Sequence, residues 1–408
     1  MNESTIQLLH FPVSLLLATV WLLIIFSLHR FLNNNPVVKY LSSRHAGILS
    51  MSVAAVMMAF DGTFSLGLSH TVAFAIVVLF FQLCLGLAVL NALHKPLRWG
   101  FLFNHLGMFL IVWAAFWGAP DVVKAKIAVP QAHPVHTAMT EAGNQLILPF
   151  SMEMEEFVID YYQDGVSPKQ YTSRLLVDGK PMTTAVNDPL SYMGYSIIQS
   201  DFDHENGQFT VLQVVKDPWL PVVMLGICML AAGALFLLSG KFKAKVSIPA
   251  IALLTVAFTA ATLARVNFGT LMPALRSLWF FPHVLVYMIA YSVMAVALVL
   301  SIISAVKTRE SLLNAADVMV RISSALLVIG MLCGAVWARQ AWGDYWTWDP
   351  KESWAAVTWF ITLIYLHAGK KAKTRLAILI IAFLALQITW YGVNYLPSAG
   401  NGLHSYNR

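Results

Sequence analysis

The sequence predicts an all-α polytopic membrane protein of about ten transmembrane helices with a small external β-rich domain. Three observations predict it. The 408 residues are 58% hydrophobic and only 11% charged, whereas a soluble chain carries about 25% charged residues. Apolar runs of about 20 residues, the length that crosses a bilayer, recur along most of the chain. One long segment, 119–218, interrupts them and is hydrophilic and acidic.

The runs place spans near 10–28, 46–66, 70–93, 101–118, 219–239, 247–265, 283–305, 316–338, 353–369 and 376–396. Asp61 and Gly62 interrupt the second, which is the weakest of the set. Basic residues cluster in alternate loops: Arg30, Lys39 and Arg44; Lys95 and Arg98; Lys241, Lys243 and Lys245; Lys307 and Arg309; Lys370, Lys371, Lys373 and Arg375. Only Glu310 opposes them. With ten spans all five loops fall on one side, which the charge bias of short loops makes cytoplasmic. The N-terminus, segment 119–218, the loop after Trp342 and the C-terminus are then expected outside. The net charge of +6 is therefore a topology signal and not a nucleic-acid patch.

Within 119–218, the stretches EFVIDYY, YTSRLLVDGK, YSIIQSDF and FTVLQVVKD are rich in β-branched and aromatic residues and read as strands. DG, NDP and ENG between them are turn chemistry. A small antiparallel domain with a modest core follows. The cysteines Cys84, Cys228 and Cys333 each lie in an apolar run, without CxxC, CxxCH or zinc spacing. This argues against a thiol oxidoreductase or a c-type cytochrome. No basic n-region and no small-residue cleavage site flank the first apolar run, so no cleavable signal peptide is expected.

The topology sorts the twelve histidines. His105 lies just inside the span that leaves the basic side, and His367 near the end of one that returns to it. Counted along helices at about 1.5 Å per residue, they share a depth. Ionisable residues in a membrane are functional candidates, and two at one depth suit a metal clamped from both sides, as in bis-histidine haem. Snorkelling to the interface is the bland alternative for either alone. His283, in LWFFPHV, and His404, in SAGNGLHSYNR, fall at the opposite end. An interfacial histidine and a tail residue are the bland accounts of these two. His133 and His136, in HPVH, more often bind nothing.

Near that second end runs WGDYWTWDPKE, 342–352. Trp342, Trp346 and Trp348 offer flat apolar faces that stack on flat ligands, and indole N–H groups besides. A porphyrin suits them, and its propionates need cationic or hydrogen-bonding partners. Arg265, Arg276, Arg339 and Lys351 are candidates, with Asp349 and Glu352 placed to orient Lys351 or a backbone turn. An aromatic anchor at the membrane surface is the competing account.

WGDYWTWDPKE closely resembles the tryptophan-rich signature of the haem-handling proteins of cytochrome c biogenesis, and its WDPKE ending resembles the system II synthase branch. LRSLWFFPHV and LPSAGNGLHSY resemble the segments that supply external haem-ligand histidines there, and YLH a transmembrane one. VNDPLSYMGYSIIQSDFD and NHLGMFL resemble parts of the ResB-like partner subunit. The resemblance implies a fusion: a ResB-like membrane region of four helices (1–118), an external β-rich domain (119–218) and a CcsA-like haem-handling domain of six helices (219–408) bearing the loop 342–352. It implies a holocytochrome c synthase in a bacterial cytoplasmic membrane. On that resemblance haem b would enter between His105 and His367 and move to the tryptophans, where His283 and His404 would hold the iron. It would then be joined to the CxxCH of apocytochrome c. Trp342, Gly343, Trp346, Trp348, Asp349, Lys351, Glu352 and Arg276 would hold the haem. The first, third, fourth and fifth of these would serve the reaction with the two outer histidines. Membrane lipid and thiol-reducing maturation proteins are the other implied partners. The alternative is a haem transporter or chaperone that delivers haem to a separate ligase. A bis-histidine quinol oxidoreductase fits less well, because the outer pair lies at span ends and in a tail.

Overall fold

The computed structural model describes residues 9–239, 253, 255–257, 259–261, 264, 269–369 and 371–402. In chain order its helices are α1 (Val13–Leu32), α2 (Pro36–Leu41), α3 (Arg44–Phe64), α4 (Val72–Leu93), α5 (Trp99–Gly118), α6 (Leu220–Leu238), α7 (Phe280–Lys307), α8 (Glu310–Trp342), α9 (Pro350–His367) and α10 (Ala372–Trp390). Among the described residues eight are long and apolar enough to cross a membrane: all except α2 and α9. The chain is a multi-pass membrane protein. The expected span 353–369 is helical as α9, but Lys351, Glu352 and the hydroxyls of Ser353, Thr358 and Thr362 dilute its apolar run. The expected span 247–265 lies largely outside the described residues.

Local chemistry sets the helix ends. Ser43 and Thr71 cap α3 and α4 by accepting from Ala46 N and Phe74 N. Asp61, the residue that interrupts the second apolar run, is buried in the last turn of α3. Its carboxylate accepts from Leu68 N at 2.8 Å and Ser69 N at 3.1 Å, and so folds the loop that follows. Pro282 sits in the first turn of α7, where its missing N–H has no helical partner to lose. Close approach of α5 to α6 uses Gly107 and Gly226. A Cβ on Gly107 would lie 2.7 Å from Leu230 N, and one on Gly226 2.9 Å from Gly107 O. Without a hydrophobic force between helices in lipid, such backbone contact is what holds them.

Between α5 and α6 the chain forms an eight-stranded antiparallel sheet: β1 (Val123–Pro130), β2 (Val135–Met139), β3 (Gln145–Tyr161), β4 (Pro168–Val177), β5 (Lys180–Ala185), β6 (Leu190–Tyr192), β7 (Tyr195–Phe202) and β8 (Phe209–Lys216). The order is β5-β4-β3-β2-β1-β8-β7-β6. The four expected strands are β3 (its second half), β4, β7 and β8. The DG turn joins β4 to β5 with both residues at positive φ, 49° and 72°, the geometry of a tight hairpin. β1, β2, β5 and β6 carried weaker strand signals, being lysine-rich, short or proline-containing. One face buries Ile127, Val129, Phe150, Met152, Leu175, Ile197, Leu212 and Val214. The sheet curls enough for Thr184 Oγ1 of β5 to donate to Ile197 O of β7 at 2.9 Å.

Candidate functional site

The candidate residues gather at the two ends of α9. An 18-residue helix is about 27 Å long, so the ends are separate environments. At its C-terminal end, His367 faces His105 of α5, with ring centres 6.0 Å apart and ring planes at 71°. Each ring is fixed by its own helix. His105 Nδ1–H donates to Phe101 O at 2.8 Å, and His367 Nδ1–H to Leu363 O at 2.8 Å. Phe101 also stacks on His105, centres 3.8 Å apart. Both rings therefore keep the Nε2 lone pair for a ligand. A metal ion on the line between two Nε2 atoms, with bonds of about 2.0 Å, sets the ring centres about 6 Å apart. The ring centres of His105 and His367 stand at that spacing.

A network beside this pair was not anticipated. Asp317 of α8 accepts from Tyr365 Oη of α9 at 2.6 Å and is ion-paired with Arg375 of α10. Arg375 Nε also donates to Gly369 O at 3.2 Å and lies 5.5 Å over the Tyr365 ring. Three helices are thus tied together two residues before His367. The signal was present in the sequence: Asp317 is a carboxylate within an apolar helix, and such residues are paired.

At the other end of α9 the tryptophan loop is a break between two helices. Gly343 ends α8 at φ 84°, its N–H donating to Arg339 O at 3.1 Å, as left-handed C-terminal caps do. Trp348 also has a positive φ, 60°, which a bulky residue adopts only under constraint. Asp349 then caps α9, accepting from Lys351 N at 2.7 Å and Glu352 N at 3.1 Å, with Pro350 in the first helical position. Glu352 reaches back and accepts from Thr347 N at 2.7 Å and Thr347 Oγ1 at 3.1 Å. Asp349 and Glu352 thus shape the turn, one of the two roles expected for them. Lys351 is half-buried in the first turn. Trp342, Trp346 and Trp348 are all half-buried. Trp346 and Trp348 meet edge to face, 5.9 Å between centres, and Trp348 packs the same way on Phe74 of α4 at 5.0 Å. Trp342 meets the buried Trp337 of α8 at 5.0 Å.

His283 lies in the first turn of α7, beneath the same loop. Its Nδ1–H donates to Gly330 O at 2.8 Å, and its ring lies 6.0 Å from Trp337. Gly334 makes room for it: a Cβ there would lie 2.6 Å from His283 Nδ1. His404 lies outside the described residues, as does Arg265. The tail that leads to His404 is held. Ser398 Oγ donates to Gly62 O at 2.6 Å and Ser398 N to Thr63 O at 3.2 Å, both at the end of α3. Gly402 comes close enough that a Cβ on it would be 2.9 Å from Asp349 Oδ2.

Arg276 is exposed, and the sheet engages it: Nη1 donates to Lys169 O at 3.1 Å, and the guanidinium lies 5.6 Å from the Tyr162 ring. Arg339 donates to Gly343 O and sits 5.5 Å over the Tyr345 ring. Burial pushes the Tyr345 hydroxyl up to about 12. Burial also raises the Asp217 carboxyl. The hydrogen bond from Trp219 N and the charge of Arg339 oppose that shift, and Asp344 adds to it. HPVH straddles the start of β2; among the described residues no cluster of three or more histidine, cysteine or acidic residues could hold a metal ion.

Known proteins share both halves of this arrangement. The profile of the cytochrome C assembly protein family matches residues 220–400, and that of the ResB-like family matches 96–208. The cytochrome c biogenesis protein CcsA of Porphyra purpurea is 32% identical over 219 residues, 40% of this chain and 67% of that protein. CcsA of Chlamydomonas reinhardtii is 37% identical over 153 residues, 33% of this chain and 42% of the relative. CcsA of Zea mays is 52% identical over 85 residues, 20% and 26%. The chain thus spans less than half the length of the last two. The chain belongs to the CcsA family of cytochrome c biogenesis proteins and joins a ResB-like region to it in one polypeptide, the system II arrangement.

Proposed function

We propose that this chain carries haem across the membrane and attaches it covalently to apocytochrome c on the outer side, acting as a holocytochrome c synthase. The observation that carries this reading is the His105–His367 pair: one ring from each half of the chain, 6.0 Å apart, each with Nδ1 tied back and Nε2 left for iron. The five basic loops orient this pair toward the cytoplasm and the tryptophan loop outward. The division at 118 and 218 into ResB-like membrane region, β-rich domain and CcsA-like domain belongs to the same reading.

Haem b is the substrate. It is taken up between His105 and His367 and passes to the half-buried tryptophans. There His283 and His404 bind the iron axially and Trp342, Trp346 and Trp348 bury the macrocycle. Gly343, Asp349, Glu352, Lys351 and Arg276 build or border the cradle. The CxxCH histidine of the apocytochrome replaces one axial ligand, bringing its two cysteines to the vinyl groups. Each thiol S–H then adds across a vinyl C=C: sulfur bonds the carbon next to the ring and hydrogen ends on the terminal carbon. No oxidant is consumed, but the thiols must arrive reduced, which is what thiol-reducing partners supply. The chain contributes mainly position.

Co-expression with an apocytochrome in a host lacking its own maturation system tests this. A covalent haem-staining product is expected. Haem-loaded protein without that product makes the chain a transporter or chaperone, and a colourless protein from haem-replete cells overturns the reading.

A further inference from the structure

The geometry points to the β-domain as the part that sets the outer haem cradle, with Gln213 and Lys124 as positioning residues for the tryptophan loop and Asn187 for the segment leading to His283. This rests on the function proposed above and extends it to residues far from the motif in sequence.

The first grip is on the loop. Gln213 Nε2 donates to Trp342 O at 2.8 Å, and Lys124 is ion-paired with Asp344. Gly343 lies between them. A Cβ there would be 2.8 Å from Gln213 Nε2 and 2.9 Å from both Ile198 and Val215. The strand register explains how these residues meet. Val215 pairs with Lys124 across β8 and β1, and Gln213 with Ile198 across β8 and β7. Residues two apart share a sheet face, so all four lie on one face, while Ile197, Leu212 and Val214 fill the core behind it. Ile198 is 1% exposed and Val215 0%, although their face points away from that core. The consecutive apolar pairs Ile197–Ile198 and Val214–Val215 break the alternation of a one-sided sheet because here both faces are covered.

The second grip is on the approach to His283. Asn187 Nδ2 donates to Pro273 O at 2.9 Å, Ala274 O at 3.0 Å and Arg276 O at 3.2 Å. Tyr162 Oη donates to Leu271 O at 3.0 Å. The same segment meets the site from its other side, since Trp337 Nε1 donates to Ala274 O at 2.9 Å, and Trp337 packs on Trp342. One rigid sheet therefore fixes both the loop and the strand of chain that ends at His283. Misplacement of about 1 Å at a reacting centre costs about 100-fold in rate, so the grips matter out of proportion to their number.

The test uses the full-length, haem-loaded protein carrying Lys124→Ala with Gln213→Ala, Asn187→Ala alone, and the exposed neighbour Lys126→Ala as control. The two grip variants are expected to lower holocytochrome yield roughly tenfold or more. They should also loosen the outer haem, seen as loss of its low-spin spectrum at lower competing imidazole, while haem on the inner pair stays. Lys126→Ala should change none of these. Lys124→Asp combined with Asp344→Lys should restore part of what Lys124→Asp loses, which general loss of β-domain stability would not allow. Wild-type protein with normal outer haem, and grip variants with unchanged yield and imidazole response, would overturn the positioning role alone. Wild-type protein without haem would instead overturn the function it rests on.

Discussion

The two ends of α9 are built in opposite ways. At the His105–His367 end each ring is oriented by the carbonyl four residues earlier in its own helix, and the long-range contacts are the meeting of α5 with α9 and the Asp317–Tyr365–Arg375 network beside it. At the tryptophan end the local contacts, the Asp349 cap, the Glu352–Thr347 bonds and the Gly343–Arg339 bonds, shape the turn, and distant partners place it. The loop is held by β1 and β8, Trp348 leans on α4, His283 is tied to α8, and the tail crosses to α3. The first end, the clamp of the proposed function, is a pair of rings set by few parts. The second is an assembly in which the ResB-like half supplies the frame and the CcsA-like half the loop held on it. A clamp suits uptake of one flat ligand. An assembly of separately anchored pieces suits a site that must exchange a ligand and admit a second protein.

Substitutions sharpen that contrast, and the largest effect belongs to the clamp. His367→Ala should lower total bound haem more than about 100-fold, since even indirect support of a metal ligand is worth about 10–100-fold; pyridine haemochrome content checks it. Haem unchanged in this variant would end the idea of a clamp.

At the assembled end, Gly334→Leu should displace His283, because a Cβ already falls 2.6 Å from Nδ1. Attachment should fall about 100-fold for a displacement near 1 Å, with inner haem retained; co-expressed holocytochrome and total haem, measured together, separate the two.

Asp349 tests whether the motif carboxylate acts as a cap or in chemistry. Asp349→Ala should cost about 1 kcal/mol of stability through loss of the cap, and Asp349→Asn much less. Thermal melts and attachment should move in parallel if capping is the whole role. An Asn variant that is stable yet inactive would give the carboxylate a chemical one.

The smallest effect is expected at Asp217, between β8 and α6. Its folded-state carboxyl is raised by burial above the unfolded value. Its protonated form therefore supports the fold at acid pH, and that support is lost as pH rises through the raised value. Asp217→Asn keeps an acceptor for Trp219 N and should raise the melting temperature near neutral pH, the gain shrinking as pH falls through the carboxylate range. A gain that is the same at every pH would assign the change to packing.

Much of this was legible in the sequence where the signal is periodic or local. Apolar runs marked the helices, the basic loops gave a consistent sidedness, and Asp-Pro-Lys-Glu is a helix start on its own terms: a capping carboxylate, a proline at the first position and an acid in the first turn. The lysine-rich β1 and the short β6 were less legible, because their strand character comes from neighbours in the sheet. Lys124 and Gln213 carried no mark beyond their strands, Asn187 only that of its turn, and Asp344 only its place in the tryptophan motif. Each looks like a surface polar residue until a partner more than 80 positions away meets it. Asp317 and Arg375 were half-legible: the aspartate was out of place in its helix, but its partners on α9 and α10 could not be read.

By itself the sequence determined the membrane-spanning elements, the turn chemistry of the β-domain and the two clusters of chemically capable side chains, because hydrophobic length, strand period and helix capping act over neighbouring residues. Only the tertiary structure decided that His105 and His367 face each other, and that a sheet from one half holds the loop of the other. Those facts depend on which surfaces pack together, and packing joins residues that the chain order keeps far apart.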